Sequence, residues 1–539
     1  MKSDTNKINR RCFLKTVGLS SVTALAAIES LSMAEAEPTP TEKGGIPNIL
    51  ILKSDEHNPF ISSVEGDPVV QTPNMQRLAR MGTYYENCYC LSPLCTPSRS
   101  AYLSGMYVHQ IKTYNNCCIF KDDYPTYGEV LKEQGIHTVM VGKTDAYRDA
   151  NELGFSELFI GTWPAVRNPG DLNISRSPLK VRPMERPDGS LRHEGYGVVE
   201  ETSSRDRASI EFAINWLKTK ALSLNKPWTL EINTSKPHFP NEATQDLWDL
   251  YSGHESLPKY DKDCRTARHP YAEDLREHFQ TEKYPESSIK GLRRGYYAVI
   301  TYLDRKLGEL LDVLEETGQI KNTIIIYTSD HGEMHGKFGL WWKSAPFDDS
   351  ARVPLIIAGP GFKKNHRVKT PVNQLDLQAC IFETLKCSRP AHWAGSPLQN
   401  IPDNDPQRCT FSEYHGHGVR GSWYIIRRRD WKYIWYKSAP NQLFNMRQDP
   451  QELSNVIDKY PQKAAELEKE LRKICDPDKE HKRSEAYIKM ELAAIEAAGK
   501  AGKLKIRPGG HAWAAEDIDD FINRKFKRHK SPDLNNWKK

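Results

Sequence analysis

The 539-residue sequence lacks a strong charge of either sign: 76 lysines and arginines stand against 70 aspartates and glutamates, a formal net charge of +6. So small an excess excludes a surface built for nucleic acid, though a mildly cationic protein suits an anionic ligand. Long apolar runs are scarce as well. Beyond the short stretch Val17 to Ile28, nothing approaches the ~20 apolar residues of a membrane-spanning helix, which excludes a permanent membrane span. Internal repeats are absent, and that sets aside repeat architectures. Zinc-type spacing is missing too, since Cys88-x-Cys90 and Cys117-Cys118 do not match a zinc site, and disulfide connectivity cannot be read from the eleven cysteines. What is present, 38% hydrophobic and 27% charged residues, suits a globular chain with more than one core unit.

The first residues read as an address. Asn9-Arg10-Arg11-Cys12-Phe13-Leu14-Lys15 resembles a twin-arginine export signal, followed by the apolar Val17 to Ile28 and an A-x-A cleavage site at Ala34-Glu35-Ala36. A signal peptide over 1–36 is therefore expected, with a linker over 37–45. Passage through the twin-arginine machinery would leave the protein periplasmic or secreted.

The mature chain opens with Pro47-Asn48-Ile49-Leu50-Ile51-Leu52, a continuous apolar run of buried-strand type that ends at Lys53-Ser54-Asp55-Glu56-His57. The same grammar recurs when His137 to Val141 runs into Gly142-Lys143-Thr144-Asp145, Trp228 to Ile232 into Asn233-Thr234-Ser235-Lys236-Pro237-His238, and Thr323 to Thr328 into Ser329-Asp330-His331-Gly332-Glu333. Helices are expected between them over Tyr127 to Gln134, Arg207 to Leu217 and Gly295 to Thr317. Such alternation predicts an α/β fold, a mostly parallel sheet flanked by helices, and ligands in such sheets gather at the carboxyl ends of the strands. The polar clusters should therefore meet in space. Pro164 to Gly197 reads as an inserted loop near the site mouth. A polar, proline-containing stretch, Asn400 to Pro406, divides a domain over 46–400 from a smaller one over 401–539. The smaller one has short antiparallel strands at Ser422 to Arg427, Trp431 to Tyr436 and Gln442 to Phe444, a helix over Gln462 to Ile474, and a basic, partly helical tail.

Leu91 to Gly105, LSPLCTPSRSAYLSG, carries the most specific pattern. In its C-x-P-S-R core a thiol precedes a Pro-initiated turn, Ser98 is placed to cap a helix, and Arg99 falls in the first turn. A helix dipole and a cation would by themselves make Cys95 a low-pKa thiol. Elsewhere Asp55 and Asp330, each just past a strand, with neighbours Glu56 and His331, offer hard donors for calcium or magnesium; singly, each has the plainer reading of a strand-end cap. Two similar motifs are set aside: His331-Gly332-Glu333-Met334-His335 is H-x-E-x-H, not H-E-x-x-H, and Gly142-Lys143-Thr144 lacks the first glycine of a P-loop.

Together, PNILIL with its acidic pair, CTPSR, the strand followed by GK, KPH, SDHGE, Lys343 ahead of Arg352-Val353-Pro354-Leu355, and LFNMRQDPQELSN resemble the type I sulfatases. The resemblance implies an alkaline-phosphatase-like catalytic domain and a smaller C-terminal one. It implies oxidation of Cys95 to formylglycine (3-oxoalanine) by a maturation enzyme, before folding and hence before twin-arginine export. It further implies one calcium ion held by Asp55, Glu56, residue 95, Asp330 and His331, with Glu56 standing where the family usually has Asp. The implied chemistry is attack of a hydrated formylglycine hydroxyl on sulfur, followed by expulsion of sulfate as the second hydroxyl loses its proton. Arg99 would brace the ligands, Lys143 and Lys343 would hold sulfate oxygens, and His238 would bind the sulfate or protonate the leaving oxygen. The plainer alternatives are a solvated Lys143, a Lys343 salt-bridged near Asp348-Asp349, and a packed His238. Asp145 stands where many sulfatases have His, and would serve as a base in the elimination or orient Lys143. GKTDAY, Asn115-Asn116, Ser412-Glu413-Tyr414-His415-Gly416 and Trp431-Lys432-Tyr433-Ile434 are similar to the arylsulfatase K group of glucuronate 2-sulfatases. That similarity implies a sulfated carbohydrate substrate, a uronic-acid 2-O-sulfate of a glycosaminoglycan-like polysaccharide. His415 and His417 would then line a sugar subsite, or else stabilise a turn. Two alternatives remain open: a phosphonate monoester or phosphodiester hydrolase, and an inactive polysaccharide-binding protein in which Cys95 stays a thiol.

Overall fold

From the strand Asn48–Asp55, Ile49 and Ile51 face one way and Leu50 and Leu52 the other, and all four are buried. The computed structural model describes residues 45–116, 124–146, 153–159, 189–501, 504–506 and 512–514; the expected signal peptide, the linker up to residue 44, most of the Pro164 to Gly197 insert and the end of the tail lie outside them. Ile49 and Ile51 pack with Tyr102, Leu131 and Ile381 of the helices Cys95–Ser104, Tyr127–Glu133 and Gln374–Thr384. Leu50 and Leu52 pack with Leu78, Ile210 and Leu303 of Pro73–Met81, Ser204–Lys218 and Glu286–Glu316. Burial on both faces is why the strand reads as an unbroken apolar run.

Across the eight-stranded sheet the order is His366–Val368, Gly82–Tyr85, Leu355–Ala358, Thr323–Ser329, Asn48–Asp55, Trp228–Pro237, His137–Gly142 and Glu157–Phe159. Only Leu355–Ala358 runs against its neighbours, so the sheet is mostly parallel, as expected. The first strand continues past Leu52 to Asp55 because Lys53, instead of ending it, pairs with buried Glu231 at 2.8 Å. Glu286–Glu316 begins earlier than the expected Gly295, since Ser288, Gly291 and Leu292 are also buried; a Cβ on Gly291 would collide with the Tyr196 ring.

The C-terminal part holds a four-stranded antiparallel sheet, Cys409–Tyr414, Trp423–Arg428, Trp431–Tyr436 and Gln442–Asn445, covered by the helix Pro461–Ile474 through Leu467 and Leu471. The first of these strands was not expected. Gly189–Glu194, the part of the insert that is described first, forms a short 3-10 helix. Among the described residues no helix is long and apolar enough to cross a membrane, and the described cysteines are all free.

Candidate active site

Parallel pairing of Ser54 with Ser329 brings the ends of the two central strands level, so Asp55 and Asp330 emerge side by side. Lys143 follows the strand His137–Gly142 and His238 the strand Trp228–Pro237 at the same end of the sheet. Cys95 reaches this end at the first residue of the helix Cys95–Ser104. Pro97 fits in that first turn because no intrahelical partner is needed there. Ser98 does not cap this helix, contrary to expectation: Leu94 holds the N-cap position, and Ser98 lies inside, its Oγ donating to the Asp330 carbonyl at 2.7 Å. Arg99 lies beyond the first turn for the same reason. Asn116, noted in the sequence only as part of a resemblance, accepts the Thr96 N–H at 3.1 Å and so holds the helix start.

Ligand atoms of Asp55, Cys95, Asp330 and His331, all buried, lie within 4.8 Å of one another. His331 Nε2 is 3.2 Å from Cys95 Sγ, 3.8 Å from Asp55 Oδ1 and 3.7 Å from Asp330 Oδ1. The carboxylate distances are too long for hydrogen bonds and suit a shared cation. His331 Nδ1 donates to the Gly332 carbonyl at 3.0 Å, which leaves the Nε2 lone pair facing the cluster when the ring is neutral. Burial opposes charge on His331, yet Asp330 outweighs it and pushes the ring up to about 9. Burial likewise opposes charge on Asp55, but Lys143, His238, Lys343 and Arg99 hold its carboxyl well below the usual range. Ionised oxygens beside an imidazole form a donor set suited to a hard divalent cation.

Glu56 adopts a left-handed backbone (φ 69°), unusual for a non-glycine residue. Its N–H donates to Asp330 Oδ1 at 3.1 Å and its carbonyl accepts from the Tyr296 hydroxyl. Its side chain turns to the other half of the site, with Oε2 3.2 Å from His238 Nε2 and 3.1 Å from Lys343 Nζ. Asp55, Glu56 and His238 form a second group with donor atoms this close.

Arg99 spreads its fork of donors over both carboxylates: Nε donates to Asp330 Oδ2 at 2.8 Å, Nη2 to Asp55 Oδ2 at 3.3 Å and Nη1 to Asn233 Oδ1 at 2.9 Å. Lys143 Nζ donates to Asp55 Oδ2 and lies 3.1 Å from Asp145 Oδ2. Lys343 Nζ is 3.2 Å from Cys95 Sγ. Burial opposes the charge on both lysines; Asp145 and Asp55 outweigh it at Lys143, while the Cys95 sulfur and Glu56 do so at Lys343. Lys343 is not tied to Asp348-Asp349, which pair instead with Lys432 at 2.7 Å and Lys337 at 2.6 Å. His238 Nδ1 is committed to the Phe239 carbonyl at 2.8 Å, so only Nε2 can meet a substrate; burial, then Lys343, push this imidazole well below its ordinary value.

His415 is the expected site residue that the structure does not bring in. It is wholly buried, with Nε2 2.8 Å from Glu413 Oε2 and Nδ1 2.9 Å from Ser422 Oγ, while Glu413 Oε1 meets His109 Nδ1 at 2.9 Å. The ring holds a turn and does not line a sugar subsite. His417 is buried against His278, ring centroids 5.3 Å apart. Sequence reasoning missed three contributors. Asn233 had been noted only as part of a strand end, Gln374 lies 2.9 Å from Ser98 Oγ, and Arg192 stacks over Phe239 at 4.3 Å, beside His238. Arg192 falls within the insert expected near the site mouth; nothing in the sequence singled it out there.

Known proteins resemble the chain over most of its length. Residues 47–386 match the family model described as Sulfatase, and 336–478 match one described as N-sulphoglucosamine sulphohydrolase, C-terminal. A choline-sulfatase of Rhizobium meliloti (strain 1021) is 31% identical over 438 residues, covering 77% of this chain and 83% of its own. Arylsulfatase K of Gallus gallus is 27% identical over 484 residues, covering 85% and 88%. Among solved structures, one in complex with its substrate D-glucosamine-2-N,6-O-disulfate superposes with a TM-score of 0.63 at 21% identity, covering 81% of this chain and 98% of that one. A phosphonate monoester hydrolase of Agrobacterium radiobacter superposes with a TM-score of 0.64 at 20% identity, covering 79% and 95%. These likenesses show the alkaline-phosphatase-like fold.

Proposed function

The chain belongs to the sulfatase family, hydrolases of sulfate esters, and from that premise we propose that it is an exported enzyme releasing sulfate from a sulfated carbohydrate. The observation that carries this reading is the convergence of Cys95 with Asp55, Asp330 and His331 beneath two lysines. Asp55, Asp330, His331 and residue 95, with Glu56 alongside, would hold calcium, which would supply neutralisation of the sulfate oxygens. Oxidised to formylglycine by a maturation enzyme, residue 95 would supply a hydrated aldehyde as the oxygen nucleophile.

The chain's own residues do the rest. Lys143 and Lys343 hold sulfate oxygens, and Arg99 keeps both carboxylates in place. His238 presents Nε2 to the ester. A neutral imidazole cannot protonate the leaving oxygen, but an anionic ester seated beside Lys343 and Lys143 offsets the lysine charges that add to burial in holding this ring neutral. Asp145 orients Lys143 or takes the proton released in the elimination. The arylsulfatase K relatives and the bound sulfated glucosamine of the structural neighbour support a sugar sulfate, and we place it at the 2-position of a uronic acid. The arginine pair of the leader supports export by the twin-arginine route, with modification in the cytoplasm beforehand.

The Agrobacterium neighbour favours one rival, phosphonate or phosphodiester hydrolysis at the same cluster. Parallel assays on a sulfate monoester and a phosphate diester separate them, followed by a panel of sulfated disaccharides. Faster sulfate release, highest on a uronate 2-sulfate, is expected; dominant diesterase turnover would overturn the reading.

A further inference from the structure

A cavity of about 440 Å³ lies apart from this cluster, where the hairpin between Trp423–Arg428 and Trp431–Tyr436 meets the edge of the main sheet; none of the cluster residues line it. Lys369, Arg427, Arg429 and Arg447 line it against two acids, Glu86 and Asp430. Glu86 is engaged by Arg367 at 2.7 Å. Arg427 is the unusual member. It is only 6% exposed, and its Nε and Nη1 have no hydrogen-bond partner in the protein. The acid that feels its charge, Asp348, is already bonded to Lys432 and to the Tyr89 hydroxyl, each at 2.7 Å. A buried guanidinium with idle donors is costly unless an anion meets it.

We propose that this cavity is a second oxyanion site, which takes a sulfate group through Arg427 with Arg429 and Arg447 at its mouth. A guanidinium fork matches the oxygens of a tetrahedral anion, and a cavity of this size admits a group carried on a sugar ring as well as the free ion. Two sources share this chemistry: free sulfate, the product of the activity proposed above, and a further sulfate group on the substrate polymer. The second source rests on that reading; the site itself does not.

The test measures binding of inorganic sulfate, and separately of a sulfated oligosaccharide, to the full chain by calorimetry. Wild type is compared with Arg447→Gln, Arg429→Gln and Arg427→Gln, and turnover of a small aryl sulfate is followed in parallel. The two exposed-arginine variants keep the test valid should Arg427→Gln fail to fold. Affinity is expected to fall about tenfold or more in the double variant Arg429→Gln/Arg447→Gln, with small-ester turnover within about twofold of wild type. Loss for both ligands identifies a site open to free sulfate, and loss for the oligosaccharide alone identifies one that needs the sugar. Unchanged affinity for both ligands would overturn the inference. Absent aryl sulfate turnover in wild type would instead count against the proposed function and leave the binding result to decide this one.

Discussion

Lys432 and Asp55 are both wholly buried charged side chains, yet their surroundings are opposite in kind. Lys432 Nζ donates to Asp348 Oδ1 and Glu452 Oε1, each at 2.7 Å; the Tyr89 hydroxyl meets the same Asp348 oxygen, and the Asp348 N–H donates to Glu452 Oε2 at 2.8 Å. Each charge in that network is answered within the chain, and the network ties the C-terminal sheet to the body of the protein. Around Asp55 and Asp330 the Oδ2 atoms are held by Arg99 and, at Asp55, by Lys143 as well, but the His331 imidazole Nε2 stops 3.8 and 3.7 Å short of the two Oδ1 atoms. Donors that converge without closing on one another leave room for a partner from outside. A closed network holds parts of the fold together, whereas an open cluster is built for chemistry.

Breaking the open cluster should abolish turnover and spare the fold. Asp330→Asn is expected to lower sulfate ester turnover by roughly 10⁴-fold. Calcium should raise the unfolding midpoint of wild type and not that of Asp330→Asn, in the manner of any ligand that binds only the folded state. Breaking the closed network should do the reverse. Lys432→Met leaves Asp348 and Glu452 buried without their cation and should cost about 3–5 kcal/mol in a denaturant titration, with turnover per folded molecule unchanged.

Asp145 lies at the margin of the open cluster, and Asp145→Asn sharpens its role. A tenfold fall in turnover with an altered pH profile is expected if it takes a proton, and a raised KM with unchanged turnover if it only orients Lys143. The smallest effect belongs to the closed pair of His109 and Glu413. Burial opposes the charge on His109, but Glu413 outweighs it and raises the imidazole above its ordinary value. A raised folded-state value means that the pair stabilises fully below the unfolded pKa of ~6.5 and loses this as pH rises through the folded one. Unfolding midpoints should therefore fall between pH 6 and pH 8 in wild type and fall less in His109→Gln.

How legible the molecule was from its sequence follows the same division. Buried parallel strands announce themselves as unbroken apolar runs, and the rule that ligands gather at strand ends brings Asp55, Lys143, His238 and Asp330 together from the sequence alone. Lys343 could be resolved only in space, because a lysine near Asp348-Asp349 reads equally well as a salt bridge until Lys432 and Lys337 are seen to occupy those acids. His415 failed for the mirror reason. Its motif looked functional, but both ring nitrogens close on Glu413 and Ser422. Lys53 reads as a strand end because its partner, Glu231, is far away in sequence. Asn233 and Gln374 carry no motif at all, and their roles depend on neighbours from other elements.

The mass of the peptide containing Cys95, in protein made with a formylglycine-forming enzyme, tests the central claim most directly. The account predicts that the aldehyde replaces the thiol and that specific activity on a sulfate ester rises in proportion to the converted fraction. Full sulfate ester turnover by protein whose Cys95 remains an alkylatable thiol would contradict it.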